Sequence, residues 1–209
     1  MSYLKLLSIF IGVIFVALLL PGASPAATPE AAPQATPTIP PTATVVDTKG
    51  KSYNVADLKA KYTVQGGNWF PGPPKRITES LDIVLELEED RVAITEELKI
   101  PFASMRRVVF KEASVPEKFK EVFNKKKPIR IEMRDDSVVL LSDDLLVKID
   151  AKGNQTRAVN IRKYLFVADP TSGGAEILLN GFSGRAKTAS GKEGDFWVPL
   201  SETQSIEFK

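Results

Sequence analysis

The feature that most constrains this chain is a likeness between two of its own segments. Residues 100–111 lie on residues 198–209 without a gap, at an offset of 98. Apolar residues recur at matched places along them: Ile100 with Val198, Phe102 with Leu200, Val108 with Ile206 and Phe110 with Phe208. Upstream, Asp47-Thr48-Lys49-Gly50 lies on Asp150-Ala151-Lys152-Gly153 at an offset of 103. Two matches in the same order, each flanked by short apolar runs, predict two copies of one unit. The change of offset gives the first copy five extra residues, and the place for them is the loop around Gln65 to Ser80.

Within these copies the local signals are those of strands. Leu81, Ile83, Leu85 and Leu87 alternate with Asp82, Glu86 and Glu88, the period of a half-buried strand, which turns at Glu89-Asp90 into residues 91–94. Asn180-Gly181, between two apolar stretches, predicts a tight hairpin turn. Residues 138–141 and 145–149 are expected to pair across Ser142-Asp143-Asp144, with Gly153-Asn154 turning the chain onward. Gly191 and Gly194 bracket the last turn before Phe196, Val198 and Leu200.

One segment carries helical signals. Ser114-Val115-Pro116-Glu117 has the form of a capping box, Phe119, Val122 and Phe123 form a stripe, and Pro128 ends the run after Lys125-Lys126-Lys127. The expected fold is all-β and mainly antiparallel with this one short helix. It comprises two tandem similar small β units, each a meander or partly closed barrel. The expected boundaries are 45–113 for the first unit, 114–146 for the connecting helix and hairpin, and 147–209 for the second.

Ahead of the folded part, residues 1–26 read as a signal peptide or N-terminal anchor. Lys5 precedes an apolar run from Leu6 to Leu20, and Ser24 and Ala26 are the small residues of a cleavage site after Ala26. Fifteen helical residues reach about 22 Å, short of the roughly 30 Å hydrocarbon core, which favours a cleaved signal over an anchor. Lys5 places the remainder of the chain outside the cytoplasm, in the periplasm or beyond. Residues 27–44 are rich in Pro, Thr and Ala and form a linker that cannot bury a core.

Composition narrows the chemistry. The chain has no His and no Cys, which removes imidazole bases, thiol nucleophiles, disulfides and the usual zinc, haem-thiolate and iron–sulfur ligands. A formal charge of +2, from 28 Lys+Arg and 26 Asp+Glu, does not suit a chain that neutralises a phosphate backbone. Gly50-Lys51-Ser52 ends like a phosphate-binding loop, but Val45 stands where its first glycine belongs. Gly181 to Arg185 fails the nucleophile elbow at its last position. No cofactor or metal is expected.

Carboxylates remain as the catalytic alternative. A glycosidase-like hydrolase needs two of them across a cleft, and no spacing here brings a particular pair together. Asp135, Asp136, Asp143 and Asp144 around one hairpin are candidate calcium ligands, although they do not follow the known calcium-loop spacing. The helix and its exit carry Lys118, Lys120, Lys125, Lys126, Lys127 and Arg130, read as a solvated helix end or as a patch for an acidic surface.

The preferred binding candidates lie in the expected insertion: Trp69 and Phe70, held between glycines and prolines and followed by Lys75 and Arg76. Exposed aromatics beside cations are the residue types that anchor interfaces. The sequence thus predicts a non-catalytic binding or structural module of the cell envelope. Its partner would be an envelope protein or polymer, not nucleic acid, with membrane contact only through an uncleaved N-terminal segment.

Overall fold

The computed structural model describes residues 42–64, 75–89, 91–111, 113–123, 126–168, 177–188 and 190–209, all within one compact unit. Thirteen strands make up most of it. In chain order they are β1 (Ala43–Asp47), β2 (Ser52–Val64), β3 (Lys75–Thr78), β4 (Ser80–Glu89), β5 (Val92–Pro101), β6 (Met105–Val109) and β7 (Ile129–Met133). They continue as β8 (Val138–Leu141), β9 (Leu145–Ile149), β10 (Gln155–Phe166), β11 (Ile177–Lys187), β12 (Glu193–Pro199) and β13 (Thr203–Phe208). Short 3-10 turns at Phe102–Ser104 and Leu200–Glu202 lead into β6 and β13, and a third at Glu117–Phe119 runs into α1 (Lys120–Phe123), the one α-helix among the described residues. The fold is therefore antiparallel β with one short helix.

The strands form one open sheet in the order β12-β11-β2-β1-β13-β6-β7-β8-β9-β10-β4-β5, with β3 added to β2. Strands from 45–113 and 147–209 interleave in it. β2 pairs with β1 through its first residues and with β11 along its length, while β10 pairs with β9 and then with β4. At the centre β6 and β13 pair, with Val108 opposite Ile206, Arg107 opposite Glu207 and Val109 opposite Ser205.

The two Asp-x-Lys-Gly turns have the same construction. In the first, Asp47 N–H reaches the Lys51 carbonyl, Gly50 N–H reaches the Asp47 carbonyl, and the Asp47 carboxylate accepts Lys49 and Lys51 N–H. In the second, Asp150 and Gly153 repeat the backbone bonds and the Asp150 carboxylate accepts Asn154 N–H. Gly50 and Gly153 both sit at positive φ, 78° and 80°, where a side chain would be strained.

Alternation carries the core. Val55, Leu58, Ala60, Tyr62 and Val64 point inward from β2, with the phase corrected after Val55 by a bulge at which Asp57 takes a φ of 55°. Leu81, Ile83 and Leu85 do the same from β4, as their spacing predicts. β8 is buried on both faces, which explains its unbroken apolar sequence, and in β9 only Lys148 interrupts the apolar run. Val139, Leu141 and Leu146 join the main core, whereas Leu140, Val147 and Ile149 pack under Phe119 and Phe123 of the helical segment.

Three sequence expectations are corrected. Asn180-Gly181 is not a hairpin turn but a bulge in the middle of β11, where the register against β2 slips. Its glycine is required by crowding instead: a Cβ there would lie 2.8 Å from Pro199 Cα and inside the contact distance of the Val198 carbonyl oxygen. The capping box does not form, because Pro116 holds an extended ψ of 142° and no side chain caps the turn, so the Ser114 oxygens accept from Arg130 instead. The helix has only four residues, and Val122 faces solvent rather than completing the stripe. Finally, residues 75–78 of the expected loop are a strand, since Lys75–Thr78 pairs with residues 60–63 of β2.

Candidate functional site

Of the four expected binding residues, Trp69 and Phe70 lie outside the described residues. Lys75 and Arg76 are on β3, where Lys75 is exposed opposite Thr63 and Arg76 is half-buried opposite Tyr62. Next along β3, Ile77 is 56% exposed and faces Lys61 across the ladder. The Lys61 ammonium stands 5.0 Å from the ring of Trp197, which is 44% exposed and lies over Gly181. An aromatic beside cations does exist on this surface, but the described one is Trp197 of β12.

A concavity lies elsewhere, a cleft of about 750 Å³ that falls within the usual range for ligand sites. Tyr164 and Phe166 at the end of β10 and Leu178 and Leu179 at the start of β11 line it from one side. Phe110, just past β6, and Leu200, in the 3-10 turn before β13, complete the apolar wall. Aromatic contacts hold the rings in place: Phe110 meets Phe166 edge-on at 6.1 Å and Phe182 at 5.6 Å, and Tyr164 meets Phe166 edge-on at 5.9 Å. Phe110 N–H bonds the Gln204 carbonyl at 2.9 Å, which fixes the backbone from which that ring projects.

Leu200, on the wall of the cleft, stands where the aligned segment of the first half carries the larger Phe102. Phe102, its aligned counterpart, also opens a 3-10 turn after a proline, is 1% exposed and stacks on Phe208 at 5.0 Å. Leu200 is half-buried, and Phe110, the counterpart of Phe208, is left lining open space.

Charge gathers on the cleft's rim. Among the described residues, Lys111, Arg162, Lys163 and Asp143 are the charged side chains that line it. The Lys111 ammonium donates to the Ser201 carbonyl, which positions it without neutralising it. Burial, and secondarily the nearby Asp143 charge, push the Tyr164 phenol above its ordinary range, as expected on the wall of a partly dry site.

Five carboxylates, none of them on the cleft, are tuned in the opposite sense from a general acid, which requires a raised value. Hydrogen bonds from Arg157 hold Glu96 low, as do Lys126 for Asp144, the Ser137 hydroxyl for Asp135, Lys51 N–H for Asp47 and Asn154 N–H for Asp150. The four candidate calcium ligands are also divided. Asp135 and Asp136 lie before one end of β8 and Asp143 and Asp144 beyond the other, with the whole strand between them. Asp136 pairs with Arg106 and Asp144 with Lys126, and among the described residues no group of three acidic side chains could hold a metal ion.

The basic helical segment is largely engaged with its own surroundings. Lys120 pairs with Glu117, Arg130 with Glu132 at 2.9 Å, and Lys118 lies 5.0 Å from the Phe119 ring. Among the described residues no helix is long and apolar enough to cross a membrane.

Compared with known protein families, with curated proteins and with solved structures, the chain matches none. A functional reading therefore rests on the chemistry of its own residues.

Proposed function

We propose that this chain is an exported, non-catalytic binding module of the cell envelope, built by internal duplication, whose working site is the cleft beside Leu200. The single observation that carries the reading is the difference between Phe102 and Leu200. The first half closes its position with an aromatic stack, so a cavity at the second is not a demand of the fold.

Duplication is supported by the pairing of Val108 with Ile206, because a strand related by a two-fold axis to its own copy meets its counterpart face to face. The matched Asp-x-Lys-Gly turns and 3-10 turns agree with it. Export is supported by the arrangement of Lys5, the apolar run and Ala26. A binding role is supported by the apolar lining of the cleft.

The test is titration with a neutral apolar dye such as N-phenyl-1-naphthylamine. One equivalent should bind the wild type, and Leu200→Phe should abolish binding while keeping the circular dichroism spectrum. Absence of binding, or equal binding by the variant, would reject the cleft as a site. The mass of the protein from its native host checks export separately: cleavage after Ala26 is expected, and an intact Met1 in a membrane fraction would replace the cleaved signal by an anchor.

A further inference from the structure

We infer that β5 seats a second copy of this chain, the two β5 strands pairing antiparallel, edge to edge, about a two-fold axis at Glu96. The inference concerns a different surface from the cleft and does not depend on what the cleft binds.

The path of paired strands ends at β12 on one side and at β5 on the other. Among the described residues β5 pairs only with β4, over ten consecutive residue pairs without a bulge. A long, regular edge offers its outward N–H and C=O groups to any further strand, and proteins blunt such edges with charges, proline, bulges or short strands. β12 is blunted in this way: it has seven residues and opens on Glu193-Gly194-Asp195. β5 instead opens on Val92-Ala93-Ile94-Thr95 and carries its proline, Pro101, at its last position. Val92 is 59% and Ile94 38% exposed. At the offset of 98 they stand on Ser190 and Lys192, in the turn before β12, so the fold itself does not demand apolar residues there.

The sequence of β5 complements itself in one register. An axis at Glu96 runs the pairing from Val92 to Ile100 and leaves Pro101, which has no N–H to give, outside it. Ile94 then lies opposite the partner's Leu98 and Val92 opposite the partner's Ile100, so both exposed side chains gain apolar neighbours. Thr95 meets the partner's Glu97, and Ala93 meets the partner's Lys99. Glu96 meets its own copy on the axis, but Arg157 already holds each carboxylate with bonds of 2.6 and 2.5 Å, so both arrive with a counter-ion. An axis at Thr95 would set Ile94 against the partner's Glu96, and an axis at Glu97 would draw Pro101 into the ladder. Pairing of this kind already joins the halves of the chain, where β6 meets β13.

Sedimentation equilibrium of the full chain over a concentration series tests the inference. A monomer–dimer equilibrium is expected. Val92→Ser with Ile94→Lys, the residues of the sister positions, should weaken the dimer by about tenfold or more and keep the circular dichroism spectrum. The register is read separately, and does not depend on that variant folding. The chain has no Cys, so introduced thiols report alone. Thr95→Cys mixed with Glu97→Cys should form a mixed disulfide faster than either variant cross-links with itself, because these two positions face each other only about an axis at Glu96. A monomer up to the solubility limit, a dimer indifferent to the double substitution, or equal cross-linking in all three samples would overturn the inference.

Discussion

Val108 and Ile206 face each other across the central β6–β13 ladder, both completely buried, at the spacing in sequence that aligns the two halves of the chain. Their contact sits where the halves meet, so Ile206→Ala should cost about 2–5 kcal/mol. The pair should also be coupled, with the double alanine variant departing from the sum of the singles by at least about 0.5 kcal/mol. Urea unfolding of the three variants reads both quantities, and strict additivity would place the two residues in independent environments.

The aligned phenylalanines should differ. Phe208 is buried and stacked on Phe102, whereas Phe110 is half-buried on the cleft wall. Phe208→Ala is expected to cost about 3–5 kcal/mol and Phe110→Ala clearly less, because a site already open to solvent leaves a smaller new cavity. Equal costs would mean that the cleft is closed in solution.

Tyr62 tests the polar part of the core. Its buried hydroxyl donates to the Ser80 carbonyl at 3.3 Å and accepts Asp82 N–H at 2.9 Å, and burial keeps the phenol un-ionised far above its ordinary range. Tyr62→Phe keeps the ring and removes both bonds, so a loss of about 1–3 kcal/mol is expected. Thermal unfolding at neutral pH measures it.

Two glycines give a controlled comparison of crowding. Gly181→Ala forces a Cβ against Val198 and Pro199 backbone and should cost about 1–3 kcal/mol or more. Gly194→Ala meets nothing within 4 Å and should be neutral or slightly stabilising. The two denaturation midpoints should therefore move apart.

Acid should destabilise the fold through the lowered carboxylates. Arg157 holds Glu96 with bonds of 2.6 and 2.5 Å and depresses it below the ordinary 4.5. A folded value below the unfolded one gives stabilisation that is complete above about pH 4.5 and is lost as pH falls through the lowered value. Solvent limits this partly exposed pair to about 1 kcal/mol or less. Glu96→Gln should flatten the decline of stability between neutral pH and pH 3, measured by urea titration at each pH.

What the sequence made legible was periodic or local. The alternation of Leu81, Ile83 and Leu85, the pairing of 138–141 with 145–149 and the Asp47 and Asp150 turns all depend on neighbours within a few residues. Gly181 misled because a glycine kept for close approach to β12 reads the same as one kept for a turn. The helix was shortened by the extended backbone at Pro116. The cleft was hidden because its wall comes from widely separated stretches of the chain. Its one trace was visible in the alignment, as Leu200 standing where the first half has Phe102.

The most direct test maps the N-phenyl-1-naphthylamine site by backbone amide chemical shifts. The expected shifts centre on Lys111, Tyr164–Phe166, Leu178–Asn180 and Leu200–Ser201, while Ala103 and Ser104, beside the closed position at Phe102, stay unmoved. Equal shifts in the two halves, or shifts centred on Trp197, would contradict a binding site made by the open cleft at Leu200.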